Sequence, residues 1–266
     1  MSQNLLGEGF PFAEGVLEGK NALVCGASKG IGRAVALMLA RAGAKVIACA
    51  RSVDDLESLV GEMHGEGHRS IELDLEDTEA VSRAMMNIGT IHILVNNSGG
   101  PPGSPLLENT VDDFIGPFKR HLHAAHTLTK ALVPGMEREG NGRIVNIIST
   151  SVREPIDNIG LSNTLRGAMA SWSKSLSREL PPCITINNIL PGFTDTDRLD
   201  SLADSISLKT GKSTVEVRDN WLGGVPIQRL VDPLETAVAA TWLCLPSSGA
   251  VRGVSLAVDG GRMRSI

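Results

Sequence analysis

The chain has 266 residues, 42% of them hydrophobic and 21% charged, and a net charge of −5 from 25 basic and 30 acidic side chains. This is the make-up of a soluble globular protein that buries a full core without disulfides or metals. No block of like charge marks a nucleic-acid face or a membrane-binding surface, and no stretch reaches the length of a membrane span.

Met1 to Lys20 carries Glu8, Glu14 and Glu18 ahead of its first lysine and has no apolar core, so residues 1–17 read as an N-terminal extension and not a signal peptide. Beyond it, short apolar runs alternate with longer helical patterns, the mark of a parallel sheet with crossover helices. Strands are expected over 21–25, 45–50, 70–73, 91–96, 142–148, 185–190 and 255–258. Most are continuous apolar runs, as strands covered on both faces should be. A helix begins near Gly30 with Ile31, Val35, Met38 and Leu39 at helical spacing. Another runs over 162–180, with Leu165, Met169, Trp172, Leu176 and Leu180 in one stripe and Pro181-Pro182 ending it. Residues 195–225 break the alternation and read as a helical insert over a substrate site. The expectation is α/β: a doubly wound Rossmann fold in one domain, 1–266, with a single parallel sheet of about seven strands flanked by helices. Cys25, Cys49, Cys183 and Cys244 are scattered without a Cys-x-x-Cys, so free thiols in a reducing cytoplasm are expected.

The first strand runs into Gly26-Ala27-Ser28-Lys29-Gly30-Ile31-Gly32, which opens a helix. Glycines there let the backbone approach a pyrophosphate, and the helix N-terminus offers free N–H groups and a positive dipole end. A nicotinamide dinucleotide is the cofactor this arrangement implies. At the end of the second strand an NAD enzyme places an acid against the ribose 2′-OH. Residues 49–52 hold none, whereas Arg51 offers a planar fork for a 2′-phosphate and Lys29 lies nearby, so NADP is favoured over NAD.

Further motifs follow in order: Asp74, Asn96-Asn97-Ser98-Gly99, Gly142-Arg143-Ile144-Val145-Asn146-Ile147-Ile148-Ser149, Pro191-Gly192-Phe193-Thr194-Asp195-Thr196 and Val258-Asp259-Gly260-Gly261. With the glycine loop, this set resembles the short-chain dehydrogenase/reductase family over 17–261. The resemblance implies that Asp74, with Leu75, touches the adenine, and that Asn96 and the backbone of Ser98 and Gly99 line the cofactor. It implies too that Pro191, Gly192, Thr194 and Thr196 hold the nicotinamide end, and that the chain forms a homodimer or homotetramer.

The family pattern breaks at its chemistry, which uses a Ser, a Tyr-x-x-x-Lys pair and an assisting Asn. Ser149 matches the serine. The Tyr and Lys positions hold Ser162 and Arg166, the Asn position falls on Arg120, and the chain has no tyrosine anywhere. Arg166 shares a helix face with Ser162 and can hold ribose hydroxyls. It does not give up a proton, and a serine hydroxyl is a far weaker acid than a tyrosine beside a lysine. Thr150, Ser151, Arg153 and Asp157 either assist from the substrate side or are ordinary loop polarity. Gly99-Gly100-Pro101-Pro102-Gly103 either shapes the substrate mouth or ends its strand. His121, His123 and His126 lack a matching carboxylate or Cys, so they read as a surface or interface helix and no metal is expected.

Two functions follow. The first is an NADP(H)-dependent oxidoreductase, oxoacyl-reductase-like, moving a hydride between the nicotinamide and a small carbonyl or alcohol through an altered proton relay. The alternative is a dinucleotide-binding sensor or scaffold subunit without turnover.

Overall fold

A computed structural model describes residues 4–265. The predicted strands form as β1 (Asn21–Cys25), β2 (Lys45–Ala50), β3 (Arg69–Glu72), β4 (Ile93–Asn96), β5 (Gly142–Ile147), β6 (Ile184–Pro191) and β7 (Ser255–Val258). They make one sheet, ordered β3-β2-β1-β4-β5-β6-β7, with every neighbouring pair parallel. The chain winds outward from β1 to β3, then returns to β4 beside β1. The crevice at the carboxyl ends of β1 and β4 is therefore the switch point where such folds bind ligands.

The helices are α1 (Gly30–Arg41), α2 (Val53–Glu62), α3 (Thr78–Met85), α4 (Val111–Phe118), α5 (Ala124–Arg138), α6 (Gly160–Glu179), α7 (Asp197–Thr210), α8 (Thr214–Leu222) and α9 (Pro233–Trp242). One sheet face packs Val24, Val46, Val95 and Ile189 against Val35, Met38 and Leu39 of α1 and Ala237 and Ala240 of α9. The other packs Leu23, Leu94, Ile144 and Ile186 against Leu128, Leu132 and Met136 of α5, with Trp172 and Leu176 of α6 at its margin. Two covered faces explain why the strands read as unbroken apolar runs.

The segment ahead of β1 is not loose. Leu5, Leu6, Phe10 and Phe12 pack on the α1 side, Leu17 is buried, and Arg41 stacks on the Phe10 ring while donating to the Leu6 carbonyl. Residues 195–225 carry α7 and α8. Thr196 caps α7, a Ser213–Glu216 capping box starts α8, and Gly211 ends α7 in the left-handed conformation. The four cysteines are free, with Cys25, Cys49 and Cys244 buried. No helix among the described residues is long and apolar enough to cross a membrane.

One feature of the sheet is polar. Asn96 Nδ2 donates to Asn146 Oδ1 at 2.8 Å, Asn146 Nδ2 to Asn188 Oδ1 at 2.9 Å, and Asn188 Nδ2 to Ser255 Oγ at 3.1 Å. These residues are register partners across β4, β5, β6 and β7. The ladder therefore crosses four strands on one level, at the last residue of β4, one residue short of the end of β5, three short of the end of β6 and at the first residue of β7. Asn146→Ala would strand the Asn96 amide and the Asn188 carbonyl in the interior, at about 1–3 kcal/mol for each group. Urea unfolding should show a loss in that range, and a loss well under 1 kcal/mol would mean that the ladder adds nothing to stability.

Candidate active site

β1 turns into the glycine loop through Gly26 (φ +57) and Gly30 (φ +55). Gly32 is packed so closely that a Cβ there would run into the Gly26 carbonyl and stand 2.6 Å from Asn97 Nδ2. Asn97, at the end of β4, donates to the carbonyls of Cys25 and Gly26 and so ties the loop to the neighbouring strand. Ser28 and Ile31 are half-buried in the turn. The first turn of α1 has no acid, and its N-cap residue, Lys29, makes no side-chain capping bond. Its N–H groups are left to an outside anion.

Arg51 lies exposed just past β2 and makes no ion pair among the described residues. Lys29 Nζ lies 3.7 Å from Asp55 Oδ2 in the first turn of α2. Asp74, exposed past β3, accepts from the Glu76 N–H, and Leu75 beside it is buried. On the far side of the crevice Thr196 comes down onto the loop, its methyl 3.1 Å from where a Gly30 Cβ would be. Pro191 ends β6, Gly192 lies against Asp259, and Thr194 Oγ1 donates to the Gly192 carbonyl. The loop, Asn96, Ser98, Gly99 and the residues from Pro191 to Thr196 thus line one crevice around the switch point. Its glycine cradle and open helix terminus fit a dinucleotide.

The substituted helix keeps its orientation. Arg166 enters from α6, only 8% exposed, and its Nη1 and Nη2 donate to the carbonyls of Ile147 at 3.0 Å and Ser98 at 3.4 Å. It bridges the ends of β5 and β4 without a carboxylate partner among the described residues, and its Nε has no partner. Burial, with Arg198 and Arg120 nearby, pushes Arg166 down to about 10, which leaves it charged at neutral pH. One turn earlier Ser162 faces the same turn of chain: a Cβ on Gly100 would stand 3.6 Å from Arg166 Nη2 and 3.7 Å from Ser162 Oγ. Ser149 follows β5, half-buried, and its Oγ accepts from the Ser151 N–H.

One reading of the preceding helix needs correction. Arg120 lines the same small cavity as Ser98, His121 and Arg166, with its guanidinium paired to Glu76 at 3.0 Å. His121, expected on a surface or interface helix, enters that cavity instead, 5% exposed, with Nδ1 2.7 Å from Ser98 Oγ and Nε2 3.1 Å from the Gly99 carbonyl. The physical reason is a wide π-helical turn, Lys119–His123, between α4 and α5. It follows Pro117, which cannot donate to the helix ladder. The wider turn breaks the 3.6-residue spacing on which the surface-helix assignment of His121 rested. Burial, reinforced by Arg166 and Arg120, holds His121 well below the usual imidazole range.

The mouth is built from the 99–103 turn and α7. Arg198 donates to the carbonyls of Gly100 and Pro101, and Lys209 to that of Gly103. Behind it Arg262 sits 4.8 Å from the centre of the Phe193 ring, which stacks on Trp221 at 5.2 Å, and also donates to Thr150 Oγ1. Arg153 donates to the Ser255 carbonyl, Ser151 is buried, and Asp157 is exposed.

A family model described as short chain dehydrogenase matches residues 20–206. The chain belongs to the short-chain dehydrogenase family. It is 34% identical over 252 residues to the 3-oxoacyl-acyl-carrier-protein reductase of Vibrio harveyi, covering 92% of this chain and 98% of that one. Among solved structures it resembles YwfH, an NADPH-dependent reductase involved in bacilysin biosynthesis, at 28% identity and a TM-score of 0.88 over 93% of this chain and 99% of that one. It also resembles the L-sorbose reductase of Gluconobacter frateurii in complex with NADPH and L-sorbose, at 26% identity and a TM-score of 0.85 over 94% and 98%. For a short-chain dehydrogenase, the residues that sequence reasoning missed are Asn97 as the tie to the glycine loop, His121 as a site residue, and Arg262 with Trp221 behind the mouth.

Gly32→Ala tests the loop. The added methyl has nowhere to go, so the backbone must shift, at about 1–3 kcal/mol of stability. Titration should show weakened binding of both NADPH and NADH. Unaltered binding would mean that the cofactor does not use this loop.

Proposed function

We propose that this short-chain dehydrogenase is an NADP(H)-dependent oxidoreductase. It moves a hydride between the nicotinamide and a small carbonyl or alcohol, in the manner of an oxoacyl reductase but with an altered proton relay. One observation carries this: a charged guanidinium, Arg166, is kept buried at the catalytic cation position with only carbonyl partners. Such a burial is costly unless a ligand completes its coordination. The glycine loop and the first turn of α1 would hold the pyrophosphate. Arg51 would take the 2′-phosphate, Asp74 and Leu75 the adenine, and Asn96, Arg166 and the backbone of Ser98 and Gly99 the nicotinamide ribose. Pro191, Gly192, Thr194 and Thr196 would hold the nicotinamide. The cofactor, when bound, supplies the hydride. Ser149 and Ser162 present hydroxyls to the substrate oxygen, and Arg166 holds the ribose without exchanging a proton.

The similarity to NADPH-dependent reductases supports the choice of cofactor. The substrate mouth belongs to residues 195–225, which form with the rest a single domain over 1–266 behind the 1–17 extension. The protein acts as a homodimer or homotetramer in the cytoplasm. A second reading, a dinucleotide-binding sensor or scaffold without turnover, draws on the missing tyrosine. Offering a panel of ketones, quinones and oxoacyl thioesters with NADPH separates the two, since only the first reading expects oxidation of the cofactor.

NADPH should bind more tightly than NADH, with a gap that narrows as salt is added, because the extra attraction is charge on charge. Arg51→Asp should move the preference toward NADH. Equal affinities at low salt would contradict the assignment. Ser162→Tyr with Arg166→Lys should raise activity on activated ketones, by up to about 10²–10⁴-fold, the range of a positioned general acid. The single Ser162→Tyr change should gain less, because such a pair acts as a unit. A double variant that binds NADPH, places its ring in the cleft and reduces no ketone would favour the sensor reading.

A further inference from the structure

His121 Nε2 lies 3.1 Å from the Gly99 carbonyl, which can only accept. That nitrogen therefore carries the ring proton. Nδ1, 2.7 Å from Ser98 Oγ, is then a bare acceptor, and the Ser98 hydroxyl donates to it. A hydroxyl held to a neutral imidazole, with the far ring nitrogen oriented by a third group, has the arrangement of an activated hydroxyl. Building on the oxidoreductase reading above, we propose that Ser98 and His121 form the acid–base pair of this site. Ser98 Oγ exchanges a proton with the substrate oxygen, and His121 is the positioning residue that stores it.

Three further observations bear on the pair. Ser98 is half-buried two residues past β4, while His121 behind it is shielded from water. Arg166 Nη2 donates to the Ser98 backbone carbonyl at 3.4 Å, so a fixed cation holds the main chain that carries the hydroxyl. Ser162 is short, so no aromatic ring from α6 covers the turn at Gly99 and Gly100.

In the oxidative direction the alcohol O–H bond breaks and its proton passes to Ser98 Oγ, while the hydrogen of Ser98 passes to His121 Nδ1. The carbon-bound hydrogen leaves with its electron pair to the oxidised nicotinamide. The products are a ketone, the reduced nicotinamide and an imidazolium. Reduction reverses each transfer and begins from the imidazolium. The charged groups acting on His121 are Arg166 from α6 and Arg120 from its own turn, and Glu76 from the loop after β3 is drawn onto Arg120. Both cations oppose the imidazolium, so the resting ring is neutral at pH 7. Oxidation should hold steady through neutral pH and fall only as the pH drops through the lowered value. Reduction should fall as the pH rises through it.

The test compares His121→Gln, which keeps an amide N–H for Gly99 but has no base, with Ser98→Ala. Each should lower kcat by about 10²–10⁴-fold, and the double variant should lose little more. The acid limb of the oxidative pH profile should disappear, with the melting temperature and the Kd for NADPH near wild type. Unchanged kcat, or a loss that tracks melting temperature or NADPH affinity, would reduce the pair to a structural staple. A second readout needs no turnover: NMR of the imidazole nitrogens in the cofactor-free protein. It should show the Nε2–H tautomer of His121, neutral below the usual imidazole range and shifted by Ser98→Ala. An Nδ1–H tautomer, or no response to Ser98→Ala, overturns the proposal. A wild-type protein that binds NADPH, reduces nothing in the panel at any pH down through the lowered His121 range and oxidises none of the matching alcohols at neutral pH refutes the oxidoreductase reading and the pair with it. Turnover with unaltered variants refutes the pair alone.

Discussion

Asn96, Asn146, Asn188 and Ser255 set the register of four parallel strands with side-chain hydrogen bonds that run across the sheet. Sliding any of these strands by one residue would send its apolar set to the wrong face and leave buried amides unpaired. The loops that follow β4, β5 and β6 leave the sheet within a few residues of that level. Ser98 lies two residues beyond Asn96, Ser149 three beyond Asn146, and Pro191 three beyond Asn188. Fixing the ladder therefore fixes the relative heights of the three loops that make the crevice. Arg166, donating to the ends of both β4 and β5, closes the same layer from the helix side.

Against this rigid frame α6 presents Ser162 and Arg166, and the π-helical turn before α5 brings His121 against Ser98. The site is rich in fixed positive charge: Arg166, Arg198 and Arg120 act on one another, with Glu76 the acid paired to one of them. Such a field depresses imidazolium and favours anions, so the crevice suits an oxyanion better than a cation.

Much of the fold was legible because its signals were local. Continuous apolar runs marked the buried strands, and the order of glycine loop, strand end and helix start marked the cofactor crevice. What stayed hidden was non-local or depended on an irregular turn. Asn146 is a lone polar break in an apolar run and Asn188 is one of an adjacent pair with Asn187, and only strand pairing shows that Asn146 and Asn188 continue a ladder. His121 was misplaced because a helical wheel assumes a constant pitch, and the wide turn after Pro117 violates it. Arg262 meets Phe193 only because β7 returns the chain beside β6, a long-range consequence of the topology.

The absence of tyrosine has an optical consequence. The chain holds three tryptophans, Trp172, Trp221 and Trp242, and they carry essentially all of its near-ultraviolet emission. Trp221 is stacked on Phe193, which lies between Gly192 and Thr194 just past β6, and the same ring meets the Arg262 guanidinium. Trp172 lies far along α6, edge-on to His126, and Trp242 is partly exposed at the end of α9. The protein thus carries its own fluorophore beside the segment that follows β6, with no tyrosine background beneath it, and ligand entry there can be followed without a label.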